Sequence, residues 1–199
     1  LGSNPYTHEA GTTFNDPGAT AFDNLDGIIT HNITVTGTVN QYVPGQYTLT
    51  YNASDANGNA ATPVTRTVNV QDTTKPVITL LGSNPYAHEA GTTFNDPGAT
   101  AFDNLDGIIT QNITITGTVN QYVPGQYTLT YNTSDANGNA ATSVTRTVNV
   151  QDTTKPVITL LGSNPYTHNV GTIYQDAGAT AFDNLDGIIT DKITVAGNV

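Results

Sequence analysis

Gln71-Asp72-Thr73-Thr74-Lys75-Pro76-Val77-Ile78-Thr79-Leu80-Leu81-Gly82 returns letter for letter at Gln151 to Gly162. A fixed period decides the architecture before any local reading, because each copy must be one structural unit. From Gln71 to Gln151 the period is 80 residues, and 1–80 differs from 81–160 only at Thr7/Ala87, His31/Gln111, Val35/Ile115, Ala53/Thr133 and Pro63/Ser143. The third copy departs further, with Asn169 for Glu89, Ile173 for Thr93, Ala177 for Pro97 and Lys192 for Asn112. If the seam opens each unit, the units are 1–71, which lacks its first strand, 72–151, which is complete, and 152–199, truncated in its C-terminal half. Edges that cut through a repeat are expected of a window onto a longer array.

Composition narrows the function. The net charge of −11, from 16 acids against five bases, argues against a nucleic-acid or anionic-membrane surface. Cys, Met and Trp are absent, so no disulfide can staple the units, and an apolar fraction of 36% suits thin two-sheet domains better than a thick core. The acids are concentrated: ten of the sixteen, Asp23, Asp26, Asp55, Asp72, Asp103, Asp106, Asp135, Asp152, Asp183 and Asp186, fall in three short motifs.

Within 72–151 the pattern predicts strands and no helix. Pro76 to Leu81 is β-branched and starts abruptly after Pro. Tyr86 to Glu89 is a short second segment, and Thr92 to Phe102 must kink at Pro97-Gly98. Asp103 to Gly107 is a turn, and Ile108 to Thr116 is a strand burying Ile109, Ile113 and Ile115. Thr118 to Val123 is expected as an edge strand closed by a type II turn at Pro124-Gly125. Gln126 to Asn132 alternates with Tyr127, Leu129 and Tyr131 on one face, Asn137-Gly138 marks a hairpin, and Ala140 to Val150 returns with Val144, Val148 and Val150 in phase. Seven or so short strands in about 80 residues imply an all-β fold, tandem immunoglobulin-like β-sandwich repeats arranged as a rod.

In such a sandwich the seam, the 103–107 turn and the 135–139 hairpin meet at the leading end of the unit. Carboxylates and amide oxygens are hard ligands, and Ca²⁺ takes about six to eight oxygens at about 2.3 to 2.6 Å. The candidate ligands are Asp72, Asp103, Asn104, Asp106, Asp135, Asn137 and Asn139 in the complete unit. Their counterparts are Asp23, Asn24, Asp26, Asp55, Asn57 and Asn59 in the first repeat, and Asp152, Asp183, Asn184 and Asp186 in the third. No His or Cys accompanies them, which argues against Zn²⁺ or copper. Asp, Asn and Gly are also ordinary turn residues, so a plain-turn reading stands beside the metal.

The ordered motifs Asp72 to Gly82, Glu89-Ala90-Gly91, Asp96-Pro97-Gly98, Asp103-Asn104-Leu105-Asp106-Gly107, Pro124 to Tyr131 and Asp135 to Asn139 resemble the immunoglobulin-like repeats of bacterial surface proteins, in the style of HYR and cadherin-like repeats. The resemblance covers the whole unit. It implies stalks of extracellular or cell-surface adhesins and secreted proteins, and Ca²⁺ at domain junctions held by the seam Asp and the two loop motifs. In cadherin-like junctions the preceding domain adds a glutamate. Glu9 or Glu89 could serve only if its turn lies at the trailing end, and the third copy has Asn169 there.

Other features carry less. Asn32, Asn52, Asn112 and Asn132 match glycosylation triplets, which arise often by chance in a Thr-rich chain. His8, His88 and His168 share one repeat position, expected on a strand surface, and Lys75 and Lys155 are expected to be solvated. No nucleophile, base and orienting group can be assembled, so an enzyme is not expected in this segment. The leading expectation is a structural segment of a surface fibre or adhesin stalk, rigidified by Ca²⁺ at its seams, with neighbouring repeats and possible like chains in a filament as partners and no direct membrane insertion. The alternative is a carbohydrate- or protein-binding accessory module, for which Tyr86, Tyr122 and Tyr166 would be the platform.

Overall fold

The computed structural model describes residues 1–197, which are all-β apart from short 3-10 turns. In chain order the strands are β1 (Tyr6–Glu9), β2 (Phe22–Asp23), β3 (Gly27–Ile28), β4 (Thr34–Thr36), β5 (Gly45–Asn52), β6 (Val64–Gln71), β7 (Val77–Leu80) and β8 (Tyr86–Glu89). They continue as β9 (Ala99–Asp103), β10 (Gly107–Ile108), β11 (Thr114–Thr116), β12 (Gly125–Asn132), β13 (Val144–Gln151), β14 (Val157–Leu160), β15 (Ala179–Asp183) and β16 (Gly187–Ile188). The chain divides into two compact units: one comprises 1–79, 100–114 and 132–143, the other 80–99, 115–131 and the segment from Val144 on.

The first unit contains a four-stranded sheet in the order β1-β6-β5-β4 and the small β2-β3 ladder. β5 and β6 are antiparallel with Tyr47 opposite Val68 and Leu49 opposite Arg66, so alternate residues of both strands share one buried face. β1 then adds to β6 in parallel, with Tyr6 opposite Val68 and His8 opposite Val70. The core is Ala10, Leu49, Tyr51, Val68 and Val70, with Tyr6, Phe14, Ile33 and Leu105 packed against it. Each fully buried aliphatic side chain contributes about 1.5–3 kcal/mol. The second unit repeats the four-stranded design with β12 antiparallel to β13 and β8 parallel to β13, and two three-stranded sheets, β10-β9-β7 and β14-β15-β16, complete the topology.

Several expectations are corrected. Residues 108–116 are not one strand: β10 pairs with β9, a 3-10 turn follows at Thr110–Asn112, and β11 joins the other sheet. The Thr110 hydroxyl accepts a hydrogen bond from Ala101 N, which stops the strand and redirects it. Ile109 is therefore buried while Ile115 is exposed. The edge is β11; residues 118–123 form a loop in which the Gln121 side chain accepts from Phe94 N and its carbonyl from Gly91 N. Gly125 is already the first residue of β12 and is not among the glycines at positive φ, so Pro124-Gly125 is no type II turn. In the 135–139 hairpin only Gly138 has positive φ, because Asp135 caps a longer turn with bonds to Asn137 N and Asn139 N. His8 and His88 are buried, edge-on to Phe14 and Phe94 at 5.2 Å, instead of lying on a strand surface.

Candidate metal centre

In the complete repeat the acids are held by turn chemistry before any ion is considered. Asp103 ends β9, and its Oδ1 accepts from Leu105 N at 2.8 Å and Asp106 N at 3.0 Å, which folds the following loop. Asp106 Oδ2 accepts from Ala136 N at 2.7 Å and ties that loop to the hairpin. Asp72 follows β6, and its Oδ2 accepts from Asn137 Nδ2 at 2.8 Å. These restraints bring one carboxylate oxygen each of Asp72, Asp103 and Asp135 within 4.8 Å of the others, all three residues being buried.

Turn formation does not account for everything there. Asp103 is 1% exposed, and its Oδ2 is buried without a hydrogen-bond partner. An orphaned carboxylate oxygen beside two further acids costs several kcal/mol unless a cation takes it up. Burial above all, and then the charges of Asp103 and Asp135, raise the Asp72 carboxyl above its ordinary range, more than the bond from Asn137 lowers it. Hard oxygens at this density suit Ca²⁺ and no softer metal.

The other copies are graded. Asp23, Asp26 and Asp55 converge within the same 4.8 Å but are more open to solvent, and Asn59 Nδ2 donates to Asp55 Oδ2 while Asn57 N donates to Asp55 Oδ1. At the second seam, desolvation and then the charges of Asp183, Glu89 and Asp186 push the Asp152 carboxyl up.

Some expected ligands have other employment. Asn104 Nδ2 donates to Ala10 O at 2.8 Å, and Asn184 Nδ2 to Ala90 O at 2.6 Å, so these side chains reach back to the turn of the preceding repeat. Asn137 and Asn139 turn their amide N–H groups to Asp72 and Asp135 and so act as donors to the acids. Asn24, by contrast, lies in an exposed loop.

This geometry, three acids from seam, loop and hairpin on an all-β repeat, coincides with a match to the model of the bacterial surface protein Ig-like domain over residues 1–70, 78–150 and 158–199. The chain belongs to this family. An uncharacterized 81.3 kDa protein of Acholeplasma phage L2 is 32% identical over 194 residues, covering 90% of this chain and 25% of that protein, so the chain spans a quarter of that relative. Among solved structures, the M60 catalytic domain with the CBM51-1 and CBM51-2 domains from Clostridium perfringens ZmpB matches at 13% identity and a TM-score of 0.50, over 81% of this chain and 32% of that one. That likeness concerns the fold alone. A lipoprotein from Bacteroides thetaiotaomicron is 34% identical over 40% of this chain and 39% of its own, with a TM-score of 0.36.

Glu9 and Glu89 of these Ig-like repeats do lie beside the seam, but as clasps. Glu9 Oε1 accepts from the backbone N–H of Thr73 and Thr74 at 2.9 Å each and from the Thr74 hydroxyl at 2.7 Å, while Oε2 accepts from the Thr73 hydroxyl at 2.7 Å. Glu89 holds Thr153 and Thr154 in the same way. Burial alone would raise Glu9, yet the Thr73 and Thr74 bonds outweigh it and lower the carboxyl to about 2; the Thr153 and Thr154 hydroxyls lead in lowering Glu89 to about 2. A folded pKa below the ordinary 4.5 gives stability that is present above pH 4.5 and lost as pH falls towards 2. Glu89→Gln is therefore expected to flatten the fall in melting temperature over that window. An unchanged acid slope in the variant counts against the clasp.

Proposed function

We propose that this chain is a structural segment of a surface or extracellular protein, in which Ig-like repeats act as a stalk and Ca²⁺ bound at the seams stiffens each joint. The longest strands have 8 residues, so a unit adds about 27 Å of reach at about 3.4 Å per residue. The observation that carries the cation is the buried, unpartnered Asp103 Oδ2 among Asp72 and Asp135. When bound, the ion supplies positive charge and further ligand bonds at that end. The chain's own part is to hold the carboxylates there and to fix the seam from the other side through Glu9 and Thr73.

The spacer reading is supported by the near identity of the first two copies. Repetition with five differences multiplies length without creating distinct binding faces. The family of bacterial surface proteins agrees with a place outside the cytoplasm. The platform for a binding module receives less support: Tyr86 is half-buried and packed edge-on against Phe94 at 5.9 Å, and although Tyr122 and Tyr166 are exposed, Tyr166 packs edge-on against Tyr174 at 5.8 Å instead of joining a shared flat face.

The test is calorimetric unfolding in Ca²⁺ and in excess EGTA, with small-angle scattering on both samples. A ligand bound only by the folded state adds unfolding free energy as its concentration passes Kd, about 2.7 kcal/mol at a hundredfold excess over Kd, and the melting temperature rises with it. Identical melting and scattering in the two conditions would remove the cation from the account, and a compact, non-elongated particle in both would remove the stalk.

A further inference from the structure

The Asp-Asn-Leu-Asp loop occurs three times, and two of its copies are covered by the turn of the repeat before. At the first joint Asn104 bonds Ala10 O, Leu105 packs on the core built around Ala10, Leu49 and Tyr51, and a Cβ on Gly11 would meet Asn104 Nδ2 at 2.8 Å. At the second, Asn184 bonds Ala90 O, and a Cβ on Gly91 would lie 2.5 Å from Asn184 O. Gly11 and Gly91 also sit at φ +77° and +78°, so both the conformation and the close approach require glycine. The copy in the first repeat, Asn24-Leu25, has no such cover among the described residues, and Leu25 is 78% exposed although Leu105 and Leu185 are half-buried.

We propose that Asn24-Leu25 is a docking surface whose occupant is the Glu-Ala-Gly turn of another repeat of this design. The argument is continuity with an interface formed twice in the same molecule by the same side chains. Asn24 needs a carbonyl acceptor, Leu25 needs an apolar pocket beside a buried alanine, and the loop backbone needs a glycine opposite it. The one uncovered turn among the described residues reads Asn169-Val170-Gly171, and no atom lies within 4 Å of a Cβ placed on Gly171. It keeps the glycine, but Val170 stands where Ala10 and Ala90 are completely buried, and two extra methyl groups there overpack the contact. Two copies of this chain therefore do not satisfy each other, and the docking requires no cation.

The absence of cysteine makes the test clean, since Leu25→Cys introduces the sole thiol. Its rate of reaction with a thiol reagent is measured in residues 1–199 and in the same chain extended at its N-terminus by a further copy of residues 81–160. The expected result is fast labelling in the first and at least tenfold slower labelling in the second. Replacing the added copy's Gly91 equivalent by Val is expected to restore the fast rate, with Leu105→Cys slow throughout as the folding control. Because Leu→Cys itself thins the contact, hydrogen exchange at Asn24 to Asp26 is compared in the unsubstituted chains, where the extension is expected to slow it. Equal labelling and equal exchange with and without the extension would overturn the proposal. So would protection of Leu25→Cys in 1–199 that grows with its concentration, because it would mean the Asn-Val-Gly turn serves equally well.

Discussion

Asp103→Asn is expected to abolish the Ca²⁺ response of the complete repeat while leaving its fold intact. The substitution keeps the Oδ1 acceptor that receives Leu105 N and Asp106 N, so the loop keeps the bonds that shape it. It removes the orphaned anionic oxygen and replaces it with an amide nitrogen, which repels a cation. Without Ca²⁺ the variant should melt no lower than the parent, since one of three crowded charges has gone. With Ca²⁺ at a hundredfold excess over Kd the parent gains about 2.7 kcal/mol, or about 10–20 °C for a domain of this size. The variant is expected to stay within about 2 °C of its EGTA value. Asn104→Ala is the companion, because its amide serves Ala10 and not the acids: it should retain the Ca²⁺ response and lose stability in both conditions. A full Ca²⁺ shift in Asp103→Asn, or its loss in Asn104→Ala alone, would reverse the assignment.

The period and the turn signals made most of this structure legible in the sequence. Tyr127, Leu129 and Tyr131 alternate in β12 as the pattern requires, and β7 starts directly after Pro76. Topology alone brings the acids of seam, loop and hairpin towards one another, and Asp72, Asp103 and Asp135 do converge. What escaped the reading depended on side chains making tertiary bonds. Thr110 breaks the 108–116 stretch by bonding Ala101, nine residues back, a partner that periodicity does not register. Asn104 carries the oxygen of a ligand, yet its direction is set by a carbonyl 94 residues away. The parallel addition of β8 to β13 also has no local signal, since it joins segments at opposite ends of the repeat. Arg146 is the largest fully buried side chain among the described residues. It stands in phase with Val148 and Val150, and that parity was the available sign that a charged side chain points inward.

Arg146→Met is expected to be the most destabilising single substitution in the second unit. Arg146 has no exposed surface, and its guanidinium serves as the centre of a polar network. Nε lies 3.1 Å from Asp96 Oδ1 and donates to the Tyr131 hydroxyl at 3.1 Å, which itself donates to Asp96 at 2.7 Å. The two remaining nitrogens donate to the carbonyls of Leu81, Ser83 and Gly98, so one side chain fastens β13 to the start of the repeat. Methionine fills much of the volume but leaves the Asp96 charge and three carbonyls without their donor. Breaking a buried pair from one side costs about 3–5 kcal/mol, which lowers the melting temperature of an 80-residue repeat by at least about 12 °C. Lys155→Met, on an exposed seam side chain, should stay within about 0.5 kcal/mol. Adding Asp96→Asn to Arg146→Met removes the stranded charge and is expected to recover about 1 kcal/mol or more, a coupling that a double-mutant cycle reads directly. In the first repeat Arg66 pairs with Asp16 at 2.5 Å, but its Nε is already buried without a partner. Arg66→Met therefore removes fewer bonds and should cost less than Arg146→Met. Equal losses at the two sites would show that the ion pair alone, and not the wider network, sets the stability of the repeat.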